Sequence, residues 1–338
     1  MTEMRDDDRI DQYLWDPSAP PAPEVAALEQ RLRPLRFDPP RGSIAWLTAR
    51  PIFRRPTLWY GLAAAAVLLI AAGVSLWSWR LSWPAGRPWA VHSNEASMPA
   101  ELAVGAPFTI ARGARAEIQI ARIGQMAVEG DSRLTLLSTQ GSRHRLTLDT
   151  GSVHVRVWAP PGSVVIRTPT GEVIDLGCEF ELTATPDRTE VRVRSGWVQL
   201  DNAIDESLIP EGASAAMSAG GPPGVAVFDD ASPAFAAAVR SLERGGPDAA
   251  AAVSAIAASA RARDVYTLLL LIERGHPGSD QFAARAAELV PPPPDVTVNR
   301  VLRGDRDALW RWRDTLPLPP PKSWLRNWRD GLPSWLGR

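Results

Sequence analysis

The sequence predicts a multi-domain, membrane-anchored chain. A short α-helical segment leads into one transmembrane helix. An all-β domain follows, a sandwich or short solenoid of many short strands, and then an all-α, helical-repeat-like domain. Three observations predict this. Leu58 to Trp79 runs without a single charge, enough at helical rise to span about 30 Å of hydrocarbon. Beyond the linker WPAGRP the apolar period changes to two, with turn residues recurring about every ten positions. From Ser232 the composition turns to Ala, Leu and Arg, punctuated by helix start and stop signals. These shifts divide the chain into 1–57, 58–79, 80–87, 88–218, 219–231, 232–316 and 317–338.

Composition excludes some classes. A formal net charge of -1 over 338 residues gives no overall field for nucleic acid, and no direct nucleic-acid partner is expected. One cysteine, Cys178, cannot close an internal disulfide. The 32 prolines cluster in PSAPPAP, GPP, VPPPP and LPLPPP, the punctuation of linkers.

In the first segment, Ile10, Tyr13 and Leu14 share one helical face. PEVAALEQRLRPL reads as a second helix, with Pro23 in its first turn and Val25, Leu28 and Leu32 in one stripe; Leu35 follows after Pro34. Two such helices cannot bury both stripes alone, so a protein partner is expected on them. A hairpin lying on the membrane and a disordered tail are the alternatives. Trp59 and Tyr60 at one end of the apolar run, and Trp77, Trp79 and Trp83 at the other, suit the two membrane interfaces. Nearly sixty residues precede the run, which sets it apart from a signal peptide. Arg41, Arg50, Arg54 and Arg55 precede it against Arg80 and Arg87 after it, a bias that places the N-terminus in the cytoplasm. The larger C-terminal part is then expected outside, in a periplasm where the cell has two membranes.

The β-patterned region runs AEIQIARIG, QMAVEG, SRLTLLS, HRLTLDTG, SVHVRVWAPPG, SVVIRTPTG, EVIDLG, CEFELTATPD, TEVRVRSG and WVQLD. Its polar alternate positions predict one wet face on most strands. These segments carry a resemblance. The L-x-x-G-S-V-x-V run at Leu148–Val155 includes Gly151, Val153 and Val155. Thr168–Pro169 follows, then Val173-x-Asp175-Leu176-Gly177 with Cys178 and Phe180, then Ser195-Gly196-Trp197-Val198-Gln199-Leu200. Together they resemble the FecR domain, over about residues 88 to 218. The resemblance implies a single-pass inner-membrane regulator, typically an anti-sigma factor. Its periplasmic FecR domain answers a protein or ligand signal, and its short cytoplasmic part holds an extracytoplasmic-function sigma factor. Two features depart from the iron-uptake relatives. The cytoplasmic piece has no His/Cys zinc pattern, and the C-terminal part is helical instead of a small α/β signalling domain.

No motif for bond chemistry is present: GxSxG, P-loop and HExxH are all missing. No enzyme, cofactor or metal is expected. Cys178 reads as a small apolar residue packed with Phe180 and Leu182 rather than as a nucleophile. Asp175, Glu179 and Glu181 read as a solvated strand face rather than a metal site. His92, His144, His154 and His276 show no metal spacing. Gly196 is expected at a tight turn, with Val198 and Leu200 filling one face. Trp197 either caps the core or an exposed edge, or stands out as an anchor for a partner.

SPAFAAAVRSLERGG opens a series of helices similar to HEAT or armadillo-type units, with LLLLI at 268 to 272 as its buried centre. The C-terminal stretch WRWRDTLPLPPPKSWLRNWRDGLPSWLGR, from Trp310 on, holds five of the 14 tryptophans. They read as packing for the last helices; adsorption to a membrane or an anionic polymer is the other reading. Two functions stand: a FecR-type anti-sigma factor, or a membrane-tethered envelope binding or scaffold protein using the same domains.

Overall fold

The computed structural model describes residues 23–33 and 56–319, apart from 94, 96 and 97. The chain divides into two compact units, Met1–Leu68 and Leu69–Arg338. The expected stripe of Ile10, Tyr13 and Leu14, together with Leu35 and tail residues Trp324, Trp328 and Trp335, lies outside the described residues.

Helix α1 spans Pro23–Leu32, with proline at its start, where a missing N–H costs nothing. Leu28 and Leu32 are 56% and 51% exposed, so this stripe is uncovered within its unit. Helix α2 spans Pro56–Leu81. Its Ala64–Leu81 stretch, none of it buried, is long and apolar enough to cross a membrane. Among the described residues it is the one such helix.

The β-region has fifteen strands among the described residues. They are β1 Trp89–Ser93, β2 Glu101–Leu102, β3 Pro107–Ile110, β4 Arg115–Ile120, β5 Gly124–Glu129, β6 Ser132–Gln140, β7 Arg143–Val157, β8 Val164–Thr168, β9 Gly171–Asp175, β10 Glu179–Ala184, β11 Arg188–Ser195, β12 Trp197–Asp201, β13 Glu206–Pro210, β14 Ala213–Ser218 and β15 Val227–Phe228. One half-sheet runs β1-β4-β5-β7-β10-β11-β14-β15. The other runs β3-β6-β7-β8-β9-β12-β13. Strand β7 belongs to both. Its residues 143–150 lie in the second half and 151–157 in the first. Neighbours are antiparallel except β7 and β8.

Period-two alternation builds the core. In β4, Ala116, Ile118 and Ile120 are buried while Arg115 and Glu117 face out. Apolar residues of both halves join a single cluster. The sequence pattern reads HRLTLDTG and SVHVRV as two strands. The structure runs them together as β7, because Gly151 bends the chain without breaking the ladder.

Helices α3 Pro233–Arg244, α4 Ala249–Ser259, α5 Val265–Glu273, α6 Ser279–Leu289, α7 Val298–Leu302 and α8 Arg306–Arg313 follow. Ser232 Oγ accepts from the Phe235 N–H and starts α3. Asp305 Oδ1 accepts from the Ala308 N–H and starts α8. Val265 to Ile272 of α5 are buried on every side, so LLLLI is the helical centre. Its residues join the same apolar cluster as the strands. Val227–Phe228, within the stretch read as a linker, pairs with β14.

Candidate functional site

Most of the residues that carried the resemblance lie where the chain changes from one half-sheet to the other; Thr168 and Pro169 lie at the β8–β9 connection within one half. Gly151 is the first such corner, at φ +112°, a conformation that side chains other than glycine's rarely adopt. A Cβ there would lie 2.5 Å from Ser132 Cα, and the Ser132 hydroxyl accepts from the Ser152 N–H at 3.2 Å. Val153 and Val155 follow, buried on the core face.

Two further crossings lie side by side. Between β9 and β10 the chain passes through Asp175-Leu176-Gly177-Cys178; between β11 and β12 it passes through Ser195-Gly196-Trp197. Gly177 and Gly196 have φ of +84° and +78°. A Cβ on Gly196 would stand 2.6 Å from Gly177 O, so the crossings touch through backbone. The Leu176 N–H donates to Trp197 O at 3.2 Å. Asp175 closes the first crossing. Its Oδ1 accepts from the N–H groups of Gly177 and Cys178, both at 3.0 Å, and from the Cys178 thiol at 2.8 Å.

Asp175 thus departs from the solvated strand face read from its sequence. It is 0% exposed, because the last residue of β9 turns toward the core and its carboxylate is needed by the turn that follows. Burial pushes its carboxyl up to about 7, against the opposing pull of the Cys178 and Gly177 donors. Glu179 and Glu181 do stand on the polar face. Glu179 Oε1 meets His154 Nε2 at 3.0 Å, and Glu181 accepts from Arg194. Among the described residues no group of acids, histidines and cysteine could hold a metal ion. Cys178 is buried next to Phe180, and its thiol donates to Asp175.

Thr168 ends β8, and Pro169 and Thr170 form the β8–β9 turn. Thr170, Thr189 and Thr168 make a chain of hydroxyls at 2.7 and 2.8 Å that ends with Thr168 donating to Gly171 O. Val198 and Leu200 fill the core. Trp197, on the opposite face of β12, is only 7% exposed. Its Nε1 donates to Pro319 O at 3.1 Å, and its ring meets Tyr266 edge to face at 6.1 Å. The indole is a covered packing residue. The exposed-anchor reading falls because helix α5 and the chain at Pro319 close over it. The Tyr266 hydroxyl donates to Leu208 O at 2.8 Å, and Thr267 donates to Ala226 O at 2.7 Å. The helices are therefore bonded to the sheet as well as packed on it.

A second constellation lies where α2 ends. Arg122, in the β4–β5 turn, donates through Nη1 to Trp79 O at 2.7 Å and Ser82 O at 2.9 Å. A cation is thereby placed on carbonyls at a helix C-terminus. The Arg122 guanidinium also lies 3.9 Å over the Trp79 ring. Gly86 N–H donates to Thr139 O, Gly141 N–H to Trp83 O, and Thr139 Oγ1 to Arg87 O. Residues 80–87, read as a linker, are tied to the β-region along their length. Single-sequence reasoning missed Arg122, Ser132, Tyr266 and Pro319. Each acts on a residue far away in the chain, and periodicity carries no such signal.

Residues 107–199 match the family described as FecR protein. This segment is a FecR-family domain, and it contains all the motif positions from Gly151 to Val198. Two crystal structures of a "putative anti-sigma factor" from Parabacteroides distasonis align with 33% of this chain at 14% identity, with TM-scores of 0.30 and 0.29. The aligned part spans 55% of that protein. No relative was found among the curated proteins.

Proposed function

We propose that this chain is a single-pass membrane regulator of the FecR type. Residues 1–57 hold an extracytoplasmic-function sigma factor in the cytoplasm. The β-region and helices stand on the periplasmic side and meet a protein or ligand signal. One observation carries the reading: a FecR-family domain shares its chain with an apolar helix of membrane-crossing length and a short amphipathic helix whose leucines are uncovered. The arginine bias around α2 supports the orientation. The mechanism is sequestration and release, without bond chemistry, as is typical of FecR regulators. A signal acts by binding one state of the protein better than another.

The test is capture of the host's sigma factors on residues 1–57, with and without Leu28→Asp and Leu32→Asp. Capture of one sigma factor, lost in the double variant, is expected. Failure to capture any, with the segment helical by circular dichroism, would overturn the reading in favour of an envelope scaffold.

A further inference from the structure

The exit of α2 carries cations that the proposed function does not use. Arg80, Arg87 and Arg122 stand among Trp79, Trp83 and Trp158. The guanidinium of Arg87 lies 4.7 Å and that of Arg122 5.5 Å from the centre of the same Trp83 ring. Arg80 lies 5.9 Å over Trp158, and both Arg80 Nε and Trp158 Nε1 donate to Arg122 O at 3.3 Å. Arg112, Arg167, Arg188 and Arg194 of the same β-region pair with carboxylates. Among the described residues, Arg80, Arg87 and Arg122 pair with none.

We propose that this cluster binds the phosphate of a membrane phospholipid at the point where the helix leaves the bilayer. The proposal rests on α2 crossing the membrane and is independent of sigma-factor binding. Depth is the first argument. The apolar span ends at Leu81, so residues 79–87 fall at headgroup level, where indoles concentrate. Charge is the second. Three guanidinium groups in one patch have no carboxylate partner among the described residues, and phosphate is the anion that surrounds them at that depth; arginine's planar fork suits it. Order is the third. Trp79 O and Ser82 O fix the Arg122 guanidinium through Nη1, which leaves its other N–H groups for a ligand without a large cost in side-chain freedom. Trp79 is 55% exposed and offers an apolar surface to the acyl chain beside the headgroup. That contact favours a lipid over free phosphate.

The experiment is native mass spectrometry of the full chain in detergent micelles, titrated with dioleoylphosphatidylglycerol. Wild type is expected to hold a saturable lipid adduct. Arg80→Gln/Arg87→Gln should raise its apparent Kd about tenfold or more, while Arg133→Gln, an exposed arginine on β6, should leave it unchanged. Near-UV circular dichroism checks that the double variant keeps its fold. No saturable adduct in wild type, or equal affinity in the double variant, would overturn the proposal. Displacement by millimolar inorganic phosphate would also overturn it, because the site would then be one for free anions.

Discussion

Asp175→Asn should change how stability depends on pH, and the structure gives the direction. The carboxyl is pushed up from an ordinary 3.8 to about 7 by burial. A group whose folded value is raised contributes stability fully present below its unfolded value, and that stability is lost as pH rises toward the folded value. The window is therefore about pH 4 to 7. The gap corresponds to on the order of 4 kcal/mol. His144 works in the opposite sense. Burial pushes its imidazole down from 6.5 to about 4, so its contribution is present above pH 6.5 and lost as pH falls through 4. The wild-type profile alone mixes the two, and the difference between wild type and Asp175→Asn isolates the carboxyl. Asparagine keeps an oxygen for the Gly177, Cys178 and thiol donors and removes the charge. Any constant cost of its amide cancels in the pH difference. Urea unfolding of the full chain in detergent, followed by tryptophan fluorescence from pH 4 to 8, should show the variant gaining on wild type up to about pH 7 and then levelling off. Parallel profiles would refute the argument that burial outweighs the donors at Asp175.

Two other substitutions probe the corners and their cover. Gly151→Ala should cost about 1–3 kcal/mol in backbone strain and a similar amount from its overlap with Ser132, read as a lower urea midpoint. Trp197→Ala should cost about 3–5 kcal/mol. It should also raise amide exchange in α5 around Tyr266; an exposed anchor would leave both unchanged.

Local pattern made the strands and helices legible because their signals span a few residues. Alternation in RAEIQI and TEVRVRS became β4 and β11, and the Ser-Pro start of SPAFAAAV became the cap of α3. The crossings were half legible. Gly196 announced a turn, and its φ of +78° bears that out. Nothing in the sequence says that Gly177, nineteen residues earlier, lies against it. Asp175 was misjudged for another reason: alternation places it in phase with buried Val173, but an acid is read as solvated from its residue type, and the turn donors that satisfy it lie in the next residues. Trp197 sits on the face of β12 that alternation leaves polar. Only the packing of helix α5 and the chain at Pro319, both far downstream, buries it.

The burial of the motif residues bears on where specificity can reside. Gly177 and Gly196 meet backbone to backbone, Asp175 is sealed beneath their turn, and Trp197 is closed over by Tyr266 and Pro319. Trp197 could be reached only by parting the helices from the sheet, which would break the Tyr266–Leu208 and Thr267–Ala226 hydrogen bonds and expose apolar core. Gly151, Asp175, Gly177 and Gly196 therefore serve as corners of the architecture: they let the chain change half-sheet within β7, between β9 and β10 and between β11 and β12. The proposed sigma-factor and lipid contacts rest instead on groups the fold leaves open among the described residues, Leu28 and Leu32 of α1 and the arginines at the exit of α2. Neither group lies among the motif positions, of which Pro169 is the exposed one.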